Sequence, residues 1–196
     1  MSTPEGPASA PGPNPVVQVA WKVAAALAAV LLLFLAVGLL LPGTWTAESR
    51  REVDAPPDAV FALLEEPRRW DAWTPWPEVA FTYEGPPRGV GARRSWDDPR
   101  LGRGVFTITG SDPPRLLEYR VEVEGGQLVT EGAFRLEPIP SGTLVTWREQ
   151  GDFGRNPLMS WAALSVGRGQ AGELERGLSR LDAAAEGREP DPEGAR

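Results

Sequence analysis

The chain has 196 residues, with 20 Lys and Arg against 27 Asp and Glu, a formal net charge of -7, and neither Cys nor His. Disulfides, thiolate nucleophiles, Cys/His zinc sites, imidazole bases and Ser-His-Asp triads are thereby excluded, and any catalysis falls to Asp, Glu, Lys, Arg, Tyr or Ser. Acidic and basic side chains are interleaved, so the basic face that phosphate backbones need is missing and no nucleic-acid partner is expected.

Residues 1–15, rich in Pro, Ala, Ser and Gly, predict a disordered tail, and residues 187–196 predict another. Residues 16–41 form a long apolar run whose stretch from Val23 to Leu41 has no charged or strongly polar side chain. At 1.5 Å of rise per residue, about 20 such residues cover the roughly 30 Å hydrocarbon core, where only a helix satisfies its own backbone polar groups. A cleaved secretory signal would have a shorter core, basic residues ahead of it and a small-x-small site after it. Here only Lys22 precedes the core, and Leu41-Pro42-Gly43-Thr44-Trp45 follows it. The run therefore predicts a single-pass membrane helix, bracketed by Trp21 and Trp45 as in an aromatic belt, with Lys22 able to snorkel. Lys22 and the terminal amine on one side balance Arg50 and Arg51 on the other, so charge assigns no orientation.

A linker is expected over residues 42–47 and one domain over residues 48–186. Glu48 to Asp54 reads as a first strand, and Ala55-Pro56-Pro57-Asp58 starts a short helix with Val60, Phe61 and Leu64 on its apolar face. After Pro67 a second helical segment places Trp70 and Trp73 on one side. From Val79 to Asp152 the hydrophobic period is two, with turn residues between six runs: Val79 to Tyr83, Val90 to Trp96, Val105 to Thr109, Leu117 to Val123, Leu128 to Leu136 and Thr143 to Glu149. In the fourth run Leu117, Tyr119, Val121 and Val123 share one face and Glu118, Arg120 and Glu122 the other, the pattern of a half-exposed antiparallel sheet. Gly125-Gly126 suits a tight hairpin. Leu158, Trp161, Leu164, Leu174, Leu178 and Leu181 then recur at helical spacing, and Gly167 to Gly177 within that helix imply a kink or a close backbone approach to the sheet.

The sum is an α+β domain with a curved antiparallel sheet around a long C-terminal helix. Arg51-Glu52-Val53-Asp54-Ala55-Pro56-Pro57-Asp58, Trp70-Asp71-Ala72-Trp73-Thr74-Pro75-Trp76, Gly89-Val90-Gly91-Ala92 with Trp96, Gly142-Thr143-Leu144-Val145-Thr146-Trp147 and Gly177-Leu178-Ser179-Arg180-Leu181, in this order, resemble the polyketide cyclase/dehydrase branch of the START-like, or SRPBCC, superfamily. That resemblance implies a helix-grip fold with an apolar cavity between sheet and helix, suited to a lipid or other hydrophobic small molecule. The candidate cavity residues are Trp73, Trp76, Phe81, Tyr83, Arg94, Trp96, Tyr119, Phe134, Trp147 and Trp161.

Tyr83 and Tyr119 fall on apolar faces and read more simply as core residues with bonded hydroxyls, and Glu131 and Arg148 as solvent-facing. Arg94 shares parity with Val90 and Trp96, which makes it the one basic residue expected to point inward, either toward a ligand carboxylate or into solvent at the strand end. Asp97, Asp98 and Asp112 are explained by turn chemistry, and neither a metal nor a cofactor is expected. The favoured function is a membrane-anchored domain that binds a hydrophobic small molecule or lipid, because a tether raises the local concentration of membrane-derived ligand. A cyclase- or dehydrase-like enzyme and a protein-interaction module with a filled core are the alternatives; no protein partner is assigned.

Overall fold

The computed structural model describes residues 15–74, 79–154 and 156–188, so the two terminal tails and Trp76 lie largely or wholly outside the described residues. Helix α1 (Pro15–Leu40) carries the apolar run. Strand β1 (Thr44–Val53) starts four residues earlier than expected, which leaves almost no linker. It starts there because Thr44 already pairs with Asp152 and Trp45 with Gly151 on the last strand. Helix α2 (Pro57–Leu64) follows, then a 3-10 segment (Pro67–Ala72). Six strands form the expected meander: β2 (Thr82–Glu84), β3 (Arg93–Asp98), β4 (Gly102–Asp112), β5 (Leu116–Val123), β6 (Leu128–Ile139) and β7 (Gly142–Asp152). The sheet order is β1-β7-β6-β5-β4-β3-β2, antiparallel throughout. Helix α3 (Pro157–Ala185) closes the domain, capped by the Asn156 side chain, which accepts from the N–H of Leu158 at 3.0 Å.

The second run of the meander differs from its expectation. Val90 is exposed and pairing starts only at Arg93, because Gly89 and Gly91 hold positive φ and keep the preceding segment in a loop. The β5–β6 connection is as expected a tight one: Glu124, Gly125 and Gly126 take φ of 51°, 67° and 90°. Glycine at two of these positions removes the steric penalty of the left-handed region.

Three large rings lie flat over glycines on the neighbouring strand. Trp45 faces Gly151, Trp96 faces Gly104 and Tyr119 faces Gly132, and a Cβ at any of these glycines would fall 2.0–2.5 Å from the ring. Such pairs cover the gap a strand glycine leaves. Trp45 is therefore a buried sheet residue, not a member of an aromatic belt, whereas Trp21 is exposed. Along α3 the glycines permit close approach rather than a kink, since the helix runs unbroken: a Cβ on Gly167 would lie 2.6 Å from the Thr46 carbonyl oxygen and one on Gly177 2.5 Å from the Trp147 ring.

Candidate ligand cavity

The inward faces of β4 to β7 and the 3-10 segment meet in an aromatic block. Trp70 packs against Trp73, Phe106 and Tyr119 with ring centroids 4.9, 4.4 and 5.2 Å apart, and Phe134 stacks on Trp147 at 4.7 Å. Trp73 and Phe134 are fully buried within it. They fill the interior at this level, and among the described residues open space lies toward one end of the sheet.

At that end a cavity of about 360 Å³ opens between sheet and α3. Trp96, Leu101, Val121, Val123, Trp147 and Leu174 make mainly apolar walls, and Glu149, Gln170 and Glu173 supply polar atoms. Strand register fixes its place: Val123 pairs with both Gly104 and Leu128, and the adjacent Val129 pairs with Asp152, which pairs with Thr44. The cavity thus lies at the end of the sheet where α1 joins the domain. A second depression, of about 380 Å³, lies on the outer face among Glu118, Arg120, Glu131, Arg148 and Gln150, whose charges make it a solvated surface.

Of the ten candidate residues, Trp96 and Trp147 line the cavity. Trp73, Tyr119 and Phe134 belong to the filled block. Phe81, Tyr83 and Arg94 form an ionic and aromatic cluster at the edge of that block. The Arg94 guanidinium is inward and fully buried as expected, but it is matched to protein rather than left facing the cavity: it donates to Asp71 Oδ1 at 2.8 Å and lies 4.4 Å from the Phe81 ring and 5.4 Å from that of Phe106. Tyr83 donates to the other oxygen of Asp71 at 3.1 Å, and Arg68 sits 4.0 Å over its ring. Burial pulls the Arg94 pKa below its ordinary value, with Asp71 opposing. Trp161 lies outside the cavity on the face of α1, its ring stacked on Phe34 at 4.9 Å.

Glu149 was not among the candidates, although it continues the parity of Val145 and Trp147 on β7 and that signal marks it as inward. It is buried at the cavity floor. Tyr119 on β5 reaches it across Gly132, which is the register partner of both, and the phenol donates to Glu149 Oε1. Trp147 Nε1–H donates to the same phenol oxygen at 2.8 Å, and Gln170 of α3 donates to Glu149 Oε2 at 2.6 Å. Burial raises the Glu149 pKa, and the bonds from Tyr119 and Gln170 pull it back. Burial, then the Glu149 charge, holds the Tyr119 phenol well above its ordinary pKa.

Because folding raises the proton affinity of Glu149, its contribution to stability is full below the ordinary glutamate pKa of about 4.3 and is lost as pH rises through the folded-state value. Glu149→Gln is expected to flatten this stretch of the stability curve when chemical denaturation is repeated at stepped pH. A variant that still falls as the native chain does would remove Glu149 as the cause.

A family model described as polyketide cyclase / dehydrase and lipid transport matches residues 44–186. No curated protein sequence matches the chain. Among solved structures, protein MLL2253 from Mesorhizobium loti superposes with a TM-score of 0.53 at 19% identity, over 72% of this chain and 96% of the other. A Rhodobacter sphaeroides protein gives 0.51 at 22% identity, over 73% and 93%. The di-domain ARO/CYC StfQ from the steffimycin biosynthetic pathway gives 0.56 at 17% identity, over 74% of this chain and 51% of StfQ, so this chain spans about half of that protein. At these identities the likeness establishes the helix-grip fold.

Proposed function

Since the chain belongs to the polyketide cyclase / dehydrase and lipid transport family, we propose that it is a membrane-anchored carrier, holding a hydrophobic small molecule or lipid in the cavity between sheet and α3. One observation carries the reading: an apolar cavity of ligand size opens at the end of the sheet from which α1 departs. An 18-residue window within Val16–Leu40 has a mean hydropathy of 2.9 and only 6% of it is buried, so its side chains face outward and are not the core of a soluble fold. A bilayer around α1 would hold the cavity mouth near the source of its ligand, which favours capture over diffusion from bulk water.

Thr130, half-buried on the cavity wall, offers the test. Thr130→Trp introduces a ring where the ligand would lie, and is expected to abolish transfer of a fluorescent lipid between donor and acceptor vesicles while leaving the unfolding midpoint near that of the native chain. Unchanged transfer by a folded Thr130→Trp protein would contradict the proposal.

A second reading, a cyclase or dehydrase, draws on the Tyr119–Glu149 couple, a buried acid of raised proton affinity at the cavity floor. It requires turnover of a polyketide-like aromatic precursor that Glu149→Gln abolishes while ligand occupancy persists. The cavity weighs against a module with a wholly filled core.

A further inference from the structure

We infer that the first turns of α3, residues 157–164, are a second membrane contact, seated in the interfacial layer of the bilayer beside the end of α1. This rests on the reading of α1 as a bilayer-spanning helix.

The segment is fastened to α1 inside its apolar stretch, not beyond its end. Trp161 lies parallel to the Phe34 ring, with an interplanar angle of 5°, and its Nε1–H donates to the Phe34 carbonyl oxygen at 3.2 Å. One turn further along α1, Gly38 is buried against Pro157, whose carbonyl oxygen would lie 2.4 Å from a Cβ at that position. Depth follows from length. The 26 residues of α1 make about 39 Å of helix, against a hydrocarbon core of about 30 Å or 20 residues. Wherever that core is placed within α1, Phe34 lies at its edge or up to about 9 Å inside it. Trp161, in contact with Phe34, is then held between the boundary where amphipathic indoles are enriched and about 9 Å beneath it, the depth to which interfacial helices bury their apolar faces.

The composition of the segment fits this position. From Pro157 to Gly167 there is no charged residue, and Arg168 is the first charge on α3. Leu158 and Leu164 are 58% and 53% exposed, whereas the later leucines of the same helix, Leu174, Leu178 and Leu181, are buried against the domain. Exposed leucines flanking an interfacial tryptophan bury their apolar area when set into the headgroup boundary. The cavity is close by: Gln170 follows Leu164 by six residues, about 9 Å along the helix. Two attachments, α1 and the start of α3, would fix the tilt of the domain and hold the cavity mouth toward the lipid.

The chain has no Cys, so single cysteines report position cleanly. Full-length Leu158→Cys, Leu164→Cys, Leu27→Cys (mid-α1) and Glu137→Cys (exposed, at the far end of the sheet) would each be labelled with an environment-sensitive fluorophore and reconstituted into phosphatidylcholine/phosphatidylglycerol vesicles. Labels at Leu158 and Leu164 are expected to lose emission to nitroxide-bearing lipids, as at Leu27, and to resist aqueous iodide; the label at Glu137 should do the reverse. Quenching of Leu27 by lipid with Leu158 and Leu164 answering only to iodide would overturn the second contact and leave the anchor standing. Iodide quenching at Leu27 as well would overturn both. Protection of Leu158 and Leu164 from both quenchers would mean that protein, including a second copy of the chain, covers them, and would equally refute the bilayer contact.

Discussion

Gly132→Ala is expected to cost the domain about 4 kcal/mol, combining overpacking with the loss of a buried charged hydrogen bond. The added Cβ would lie 2.0 Å from Cζ of Tyr119, inside the ring. The ring cannot step aside cheaply, because Phe106 is stacked on it at 5.1 Å and Trp70 meets it edge-on at 5.2 Å. Displacing it breaks the phenol away from both Glu149 and Trp147, leaving a buried carboxyl supported by Gln170. In a Tyr119→Leu background the same Gly132→Ala change should cost little, since the clash and the bond are both gone. Denaturation midpoints of the four proteins give the coupling directly, and a Gly132→Ala penalty that is the same in both backgrounds would show that the Tyr119 bridge is not what the glycine serves.

Asp71→Ala should cost about 2 to 3 kcal/mol, below the 3–5 typical of breaking a fully buried pair because half of the Asp71 side chain is exposed and screened by water. The loss arises at Arg94, whose fully buried guanidinium would lose the carboxylate beside it, while the rings of Phe81, Phe106 and Trp70 stay against its charge. The pair is asymmetric. Arg94→Met leaves an Asp71 that can rehydrate, so it should be the milder change, and Asp71→Ala added to it should be nearly neutral. If Asp71→Ala proves neutral in the native background, Asp71 does not compensate Arg94 and this account of the pair is wrong.

These two sites mark where the sequence could be read and where it could not. Alternation along Leu117 to Val123 assigns the inward face of β5, and the same rule puts Arg94 inside, as the buried guanidinium bears out. Parity gives the face of a strand but not the register between strands. The rows Tyr119–Gly132–Glu149 and Trp96–Gly104 therefore become visible only when the sheet is assembled, and so does the role of Asp71, twelve residues before Tyr83, which pairs with Arg94 on the side of β3 opposite Phe106. Aromatic count has a similar blind spot. A Trp-rich chain suggests a broad aromatic cavity, yet Trp70 and Trp73 fill the space beneath α2 because the 3-10 segment turns both rings inward, and the cavity is confined to the end near α1. Trp161 has the periodicity of a core residue but lies on α1 against Phe34, 127 residues away in sequence, a contact that no local pattern reports.

The carrier reading stands or falls on whether the cavity holds a ligand, and native mass spectrometry with organic extraction of the full-length chain, beside Thr130→Trp, tests this most directly. A co-purifying hydrophobic molecule at one per chain on the native protein, absent from Thr130→Trp, is the expected result and would name the ligand class. An empty native protein that also takes up nothing from a panel of lipids and polyketide-like aromatics, or equal occupancy in both proteins, would contradict it.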